Sequence, residues 1–164
     1  MEQKVKRTKS PEQALHSLMN LAARSEKCSG DALRLMKGWG VADSDAQMVL
    51  QRLISERFID DSRYAAAFVR EKINISGWGI YKITAALRRK GIDKDIVAEA
   101  IAENCGVNMV ERLLELLQRK MRTVKAKNSA DLRAKLFRYA ASQGYDFSTA
   151  KRCVEQIVKD GEEW

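Results

Sequence analysis

Few residues in this chain are of types that could do chemistry. His16 is the only histidine, so any general-base or Ser-His-Asp scheme would have to be built on it. Its place inside an amphipathic run favours the surface of a helix instead. The adjacent carboxylates Asp60-Asp61 could join an oxygen-rich cation site, but no third carboxylate or histidine stands at a helical or hairpin spacing that would complete it. A helix start explains them better: Asp60 suits the cap and Asp61 the positive end of the helix dipole. Gly77-Trp78-Gly79 looks superficially like a phosphate loop, yet it has neither GxGxxG nor GxxxxGK and follows no strand. It reads as a turn between helices, with Trp78 either packed in a joint or exposed as a contact. Cys28, Cys105 and Cys153 are odd in number and far apart, with no CxxC pair, which predicts reduced and mostly buried thiols rather than disulfides or zinc. No catalytic residue, metal or cofactor is expected, and the function should lie in what the protein binds.

The elements that position these residues are helices. Across 164 residues there is one proline, and apolar residues recur at i, i+3, i+4, i+7 from end to end. Ser10, Pro11 and Gln13 form a capping box ahead of a helix whose apolar face is Leu15, Leu18, Met19 and Ala22. A short helix follows over about Asp31 to Lys37, then one carrying Ala46, Val49, Leu50, Leu53 and Ile54 on one side. A second group starts at Ile59-Asp60-Asp61, continues through Ile83 and Leu87 to Gly91, and has Asp93 capping its last helix. In a third, Asn108 caps a helix bearing Leu113 and Leu117, with further helices over about Ala130 to Ser142 and Ser148 to Lys159. Gly40, Gly91 and Gly144 each stand ten residues before an apolar residue, Leu50, Ile101 and Val154 respectively. The expected fold is all-α, with three tandem three-helix, helix-turn-helix-like repeats in an elongated, curved row. Their bounds are a basic tail over 1–10 and repeats over 11–59, 60–106 and 107–164. No apolar run is long enough to cross a bilayer and Met1 to Ser10 lacks a signal-like apolar core, so a cytoplasmic monomer without membrane contact is expected.

Charge points to the partner. The formal net charge is +8, and it is unevenly placed. Arg119 to Arg138 is the densest basic stretch, with Arg133, Lys135 and Arg138 in its helical part, and Arg88-Arg89-Lys90 forms a second cluster. Both fall on the second helix of a repeat. In helix-turn-helix readers the final helix enters the major groove and carries the basic and amide side chains, whereas here the final helices are mostly neutral or acidic. Sequence reading of DNA is therefore disfavoured, and a broad electrostatic surface for a phosphate backbone or a nucleoprotein filament is favoured.

Phe58-Ile59-Asp60-Asp61-Ser62-Arg63-Tyr64-Ala65, followed by Gly79-Ile80-Tyr81-Lys82-Ile83, Leu87 and Lys90-Gly91-Ile92, resembles the RecX family of bacterial RecA regulators. The resemblance implies a modulator, usually an inhibitor, of the RecA recombinase. Such a protein lies in the groove of the RecA–DNA filament and damps filament growth, ATPase, strand exchange and coprotease activity. It also marks Arg63 and Lys82 as motif positions, beside the cationic candidates Arg88, Arg89, Lys90, Arg133, Lys135 and Arg138. The alternative is a module that binds single- or double-stranded DNA, independent of sequence and without RecA.

Overall fold

The computed structural model describes residues 7–106 and 108–160, so the first six positions of the basic tail, together with 107 and 161–164, lie outside the described residues. Among the described residues all regular structure is helical: α1 (Pro11–Arg24), α2 (Ser29–Gly38), α3 (Asp43–Ser55), α4 (Asp61–Glu71), α5 (Ile80–Arg89), α6 (Lys94–Asn104), α7 (Met109–Met121), α8 (Ser129–Ser142) and α9 (Phe147–Asp160). The protein is all-α, as the apolar spacing requires. Directly after α4 the chain winds into one π-helical turn, Lys72–Ser76, which Gly77 ends at φ 69°.

The starts of the helices follow the side-chain chemistry expected of them, with two exceptions. Ser10 and Gln13 make the reciprocal capping box, at 3.2 and 3.0 Å. Asp60 Oδ1 accepts from the Arg63 backbone N–H at 3.0 Å, and Asp93 Oδ1 accepts from Asp95 N–H at 2.8 Å. Asn108 occupies the cap position of α7, but its side chain bonds no backbone N–H there; the asparagine that caps is Asn128, whose Oδ1 accepts from Asp131 N–H at 2.8 Å before α8. Asp61 serves a neighbour as well as its own helix, because its Oδ1 accepts from the Ser29 backbone N–H at 2.7 Å. That bond lets α2 begin at Ser29, earlier than the expected Asp31.

The described chain forms two compact units. The first gathers the residues up to Ala65 with Leu87–Val97, and the second gathers Ala66–Ala86 with the residues from Ala98 onward. In the first, Leu15, Leu18, Met36, Leu50, Leu53 and Ile59 make a core joined by Trp39 and Phe58. Leu87, Ile92 and Val97 are buried in the same unit. Ile54, read from the sequence as part of the α3 core face, stands exposed at the edge of that face. In the second, Leu113, Leu117, Leu136, Tyr145, Val154 and Ile157 form the corresponding core.

Four helices end in one hydrogen-bonding pattern. After α2, α3, α5 and α8 the C′ residue has positive φ, and the C″ residue donates its N–H back to the carbonyl six residues earlier in the motif. The bonds are Val41 to Met36, Phe58 to Leu53, Ile92 to Leu87 and Tyr145 to Ala140, between 2.9 and 3.3 Å. Gly40, Gly91 and Gly144 supply positive φ without a Cβ clash, but after α3 the position is held by Arg57 at φ 61°. A non-glycine residue in this region costs about 1–2 kcal/mol.

Two stability predictions follow from these contacts. Arg57→Gly removes the Cβ strain while keeping the backbone bonds, so the urea midpoint should rise by the equivalent of about 1 kcal/mol. An unchanged or lower midpoint would show that the arginine side chain stabilises the turn by more than its backbone costs. At the start of α2, a Cβ built on Gly30 would collide with the backbone carbonyl oxygen of Lys90. Gly30→Ala must therefore push α2 away from the end of α5, and a loss of about 1–3 kcal/mol is expected in the same assay.

Candidate partner interface

In the second compact unit the cationic candidates divide by what already holds them. Lys82 is half-buried with Nζ 4.3 Å from the centre of the Trp78 ring, and Lys72 Nζ lies 4.7 Å from the same ring. Phe68 meets Trp78 edge-on with ring centres 6.2 Å apart. Trp78 is thus packed in a joint of its own unit, and its cation–π contacts contribute about 0.5–1 kcal/mol each where water still reaches them. The turn beneath it is fixed by close approach: a Cβ on Gly77 would come within 2.7 Å of Leu116, and the Tyr145 hydroxyl donates to the Gly77 carbonyl at 3.0 Å. Burial pushes the Tyr145 phenol up to about 12, so it stays a donor throughout the physiological range. On α8, Lys135 donates to the Lys125 carbonyl at 2.6 Å and pairs with Asp131 at 3.0 Å. Arg133 is half-buried, while Arg138 is exposed.

The remaining groups with chemical potential sit apart. His16 is exposed on α1. Cys28 and Cys153 are buried and Cys105 half-buried, all three free thiols whose pKa burial raises. Among the described residues no three of His, Cys, Asp and Glu come together as a metal set, and no helix is long and apolar enough to cross a membrane.

In the first unit the motif residues prove to be structural braces. Arg63 does not pair with Asp60 or Asp61, as a simple helix-start ion pair would have it. Its Nε donates to Glu26 Oε1 at 2.8 Å, and Nη1 and Nη2 donate to the carbonyls of Arg57 at 3.2 Å and Phe58 at 3.4 Å. The same guanidinium therefore holds the strained turn after α3 and the α1–α2 connection. Lys90 Nζ bonds Asp31 Oδ1 at 3.0 Å and lies 5.6 Å from the Tyr64 ring centre. Arg88 Nη1 donates to the Ile92 carbonyl at 2.9 Å, satisfying the turn that follows α5. Arg89 is exposed and has no ion-pair partner among the described residues. Sequence reasoning missed Asp31, since a single carboxylate in the first turn of a helix looks like a dipole partner and nothing in its spacing announces Lys90, 59 residues away.

Asp31 gives a pH signature. Burial alone would raise its pKa, but bonds from Lys90, Cys28 and Arg34 outweigh that and lower it to about 2. For a depressed carboxylate the stabilisation is present above the unfolded-state pKa and is lost as pH falls through the folded one, here between about pH 4 and pH 2. Asp31→Asn should cost about 1–3 kcal/mol at neutral pH, because Lys90 loses its partner in a partly buried site. The gap between wild type and Asp31→Asn should close as unfolding is measured from pH 5 down to pH 2. Parallel curves across that range would show that the pair contributes nothing.

Comparison with known proteins completes the picture. The pattern of the second three-helix domain of RecX matches residues 60–101, and that of its third three-helix domain matches residues 108–154. The regulatory protein RecX of Pseudomonas syringae pv. tomato is 30% identical over 136 residues, covering 83% of this chain and 86% of that one. That of Prosthecochloris aestuarii is 28% identical over 123 residues, covering 75% and 79%. The crystal structure of RecX from Lactobacillus salivarius superposes with a TM-score of 0.75 at 17% identity, over 90% of this chain and 96% of that one, which establishes a shared fold. The motif at Asp60-Asp61-Ser62-Arg63 is thus built here as the family's helix start, with its aspartates capping two helices and its arginine bracing the turn before them. This chain belongs to the RecX family of regulatory proteins.

Proposed function

We propose that this protein is a non-enzymatic regulator of the RecA recombinase. It binds in the groove of the RecA–DNA filament and limits filament growth, with ATPase, strand exchange and coprotease activity falling as a result. Family membership carries this reading, since the relatives are named regulatory proteins. The distribution of cations supports it physically. Arg89 in one compact unit and Arg138 in the other are exposed and committed to no internal ion pair among the described residues. A filament repeats the same surface many times, so modest contacts from several parts of one chain add through effective concentration. Nearby phosphates supply the negative charge that a chain of +8 would meet with long-range attraction.

The net charge also favours a second reading, in which the protein binds DNA, independent of sequence, and affects RecA only by competing for it. The two differ in RecA's DNA-dependent ATPase measured with DNA in excess. A regulator acting on the filament inhibits at substoichiometric amounts and keeps inhibiting when more DNA is added. A competitor is relieved by the added DNA.

The structure sharpens which charges to reverse. Lys135 and Arg88 hold backbone carbonyls, so changing them would disturb local folding as well as binding. Arg89→Glu combined with Arg138→Glu should leave helicity intact and shift unfolding by no more than ~0.5 kcal/mol per site. It should raise the half-inhibitory concentration in the ATPase assay by roughly tenfold, equivalent to about 1.4 kcal/mol over the two contacts. The double variant should also lose inhibition less steeply as salt rises, because it neutralises fewer phosphates. Equal inhibition by wild type and variant across the salt series would remove electrostatics from the reading.

A further inference from the structure

We infer that the groove between α8 and α9 is a docking site for an acidic peptide segment of a partner protein, anchored by an aromatic or large aliphatic side chain. Phe147, the first residue of α9, is 68% exposed, although most large apolar side chains of this chain are buried or half-buried. It packs edge-on against Phe137 of α8, with ring centres 5.1 Å apart at 69°. Together with Ala134 and Val154 the two rings line a depression of about 290 Å³. That volume lies at the small end for cofactor pockets, which suits one or two inserted side chains rather than a cofactor.

The rim supplies the charge preference. Arg133 and Lys151 border the depression against a single carboxylate, Glu155. Arg138 lies one helical turn beyond Ala134 on the same stripe of α8 and is exposed. An apolar floor with a cationic rim is complementary to a segment that alternates carboxylates with an apolar anchor, the arrangement used when an amphipathic partner seats its apolar side in a groove. A nucleic-acid strand fits less well. Its phosphates need cations spaced along a track and its bases need an open ring face, whereas here the cations flank a pit and the rings meet edge to face.

The site names the chemistry of a protein contact and rests on the regulatory reading above only for its setting. Its test needs no RecA, so the two ideas fail separately. The probe is a short fluorescent peptide rich in glutamate with one central phenylalanine, followed by anisotropy, with a matched peptide carrying alanine at the centre. An oligothymidylate of similar charge forms the nucleic-acid arm. Wild type should bind the phenylalanine peptide saturably. Phe147→Ala, and separately the alanine peptide, should each weaken binding at least tenfold. Lys151→Glu should weaken it several-fold while leaving helicity by circular dichroism unchanged. The proposal is overturned by absence of saturable binding to wild type, by equal affinity for the two peptides, or by indifference to Phe147→Ala. It is overturned equally if the oligothymidylate, and not the peptide, binds in a way that depends on Phe147.

Discussion

The turn that closes four of the helices, with one residue at positive φ and the next one donating back into the helix, is the constraint on which the rest of this protein depends. A helix carries four unsatisfied carbonyls at its end, and the pattern uses them while throwing an apolar side chain back into the core. Val41, Ile92 and Tyr145 are those side chains, and all three are buried. The direction in which the next helix leaves is then set by backbone geometry rather than by loop length. This is why short connections of one kind recur along the chain, and why glycine recurs with them at 40, 91 and 144. Where glycine is missing, at Arg57, the fold adds a guanidinium from Arg63 that grips the carbonyls of Arg57 and Phe58.

The same economy sorts the charged residues. A family motif rich in charge reads most easily as a contact surface, yet most of its members here are internal fasteners. Asp60 and Asp61 satisfy two helix starts, Arg63 closes a turn, and Lys90 holds Asp31 across the first unit. Each of these bonds involves a group whose loss would leave a polar partner stranded in a partly buried place, which costs more than a surface ion pair returns. What is left for partners is a smaller set, led by Arg89 and Arg138. Net charge is therefore a poor guide to which residue touches a partner, even when it is a fair guide to the kind of partner.

Much of the fold was legible because it rests on local rules. The capping box at Ser10, the cap at Asp60 and the glycines after α5 and α8 are short-range chemistry that a sequence displays openly. Leu87 and Leu117, spaced for a helix face, are fully buried. The failures are where distant segments decide. α2 starts early because Asp61, far along the chain, bonds Ser29, and Ile54 is exposed because the face it shares with Leu50 and Leu53 is narrower than its spacing implies. The candidate site was legible only as a list of cations. Which of them are tied down depends on Glu26, Asp31, Asp131 and carbonyls that no spacing reveals.

The π-helical turn after α4 sets a bound on chain length. A π turn accommodates one more residue than an α turn, and each residue of an α-helix rotates the chain by about 100°. Between Asp61 and Ile80, then, the chain holds a residue count that is part of its three-dimensional code. Dropping one position from 72–76 would let the helix relax to ordinary winding, but everything after it would swing by more than a quarter turn. Trp78 would leave Phe68 and Lys82, and Gly77 would no longer face Leu116. The segment is in effect a ratchet tooth: substitutions there are tolerated one by one according to their packing, while insertions and deletions are not, because they change the phase of all that follows.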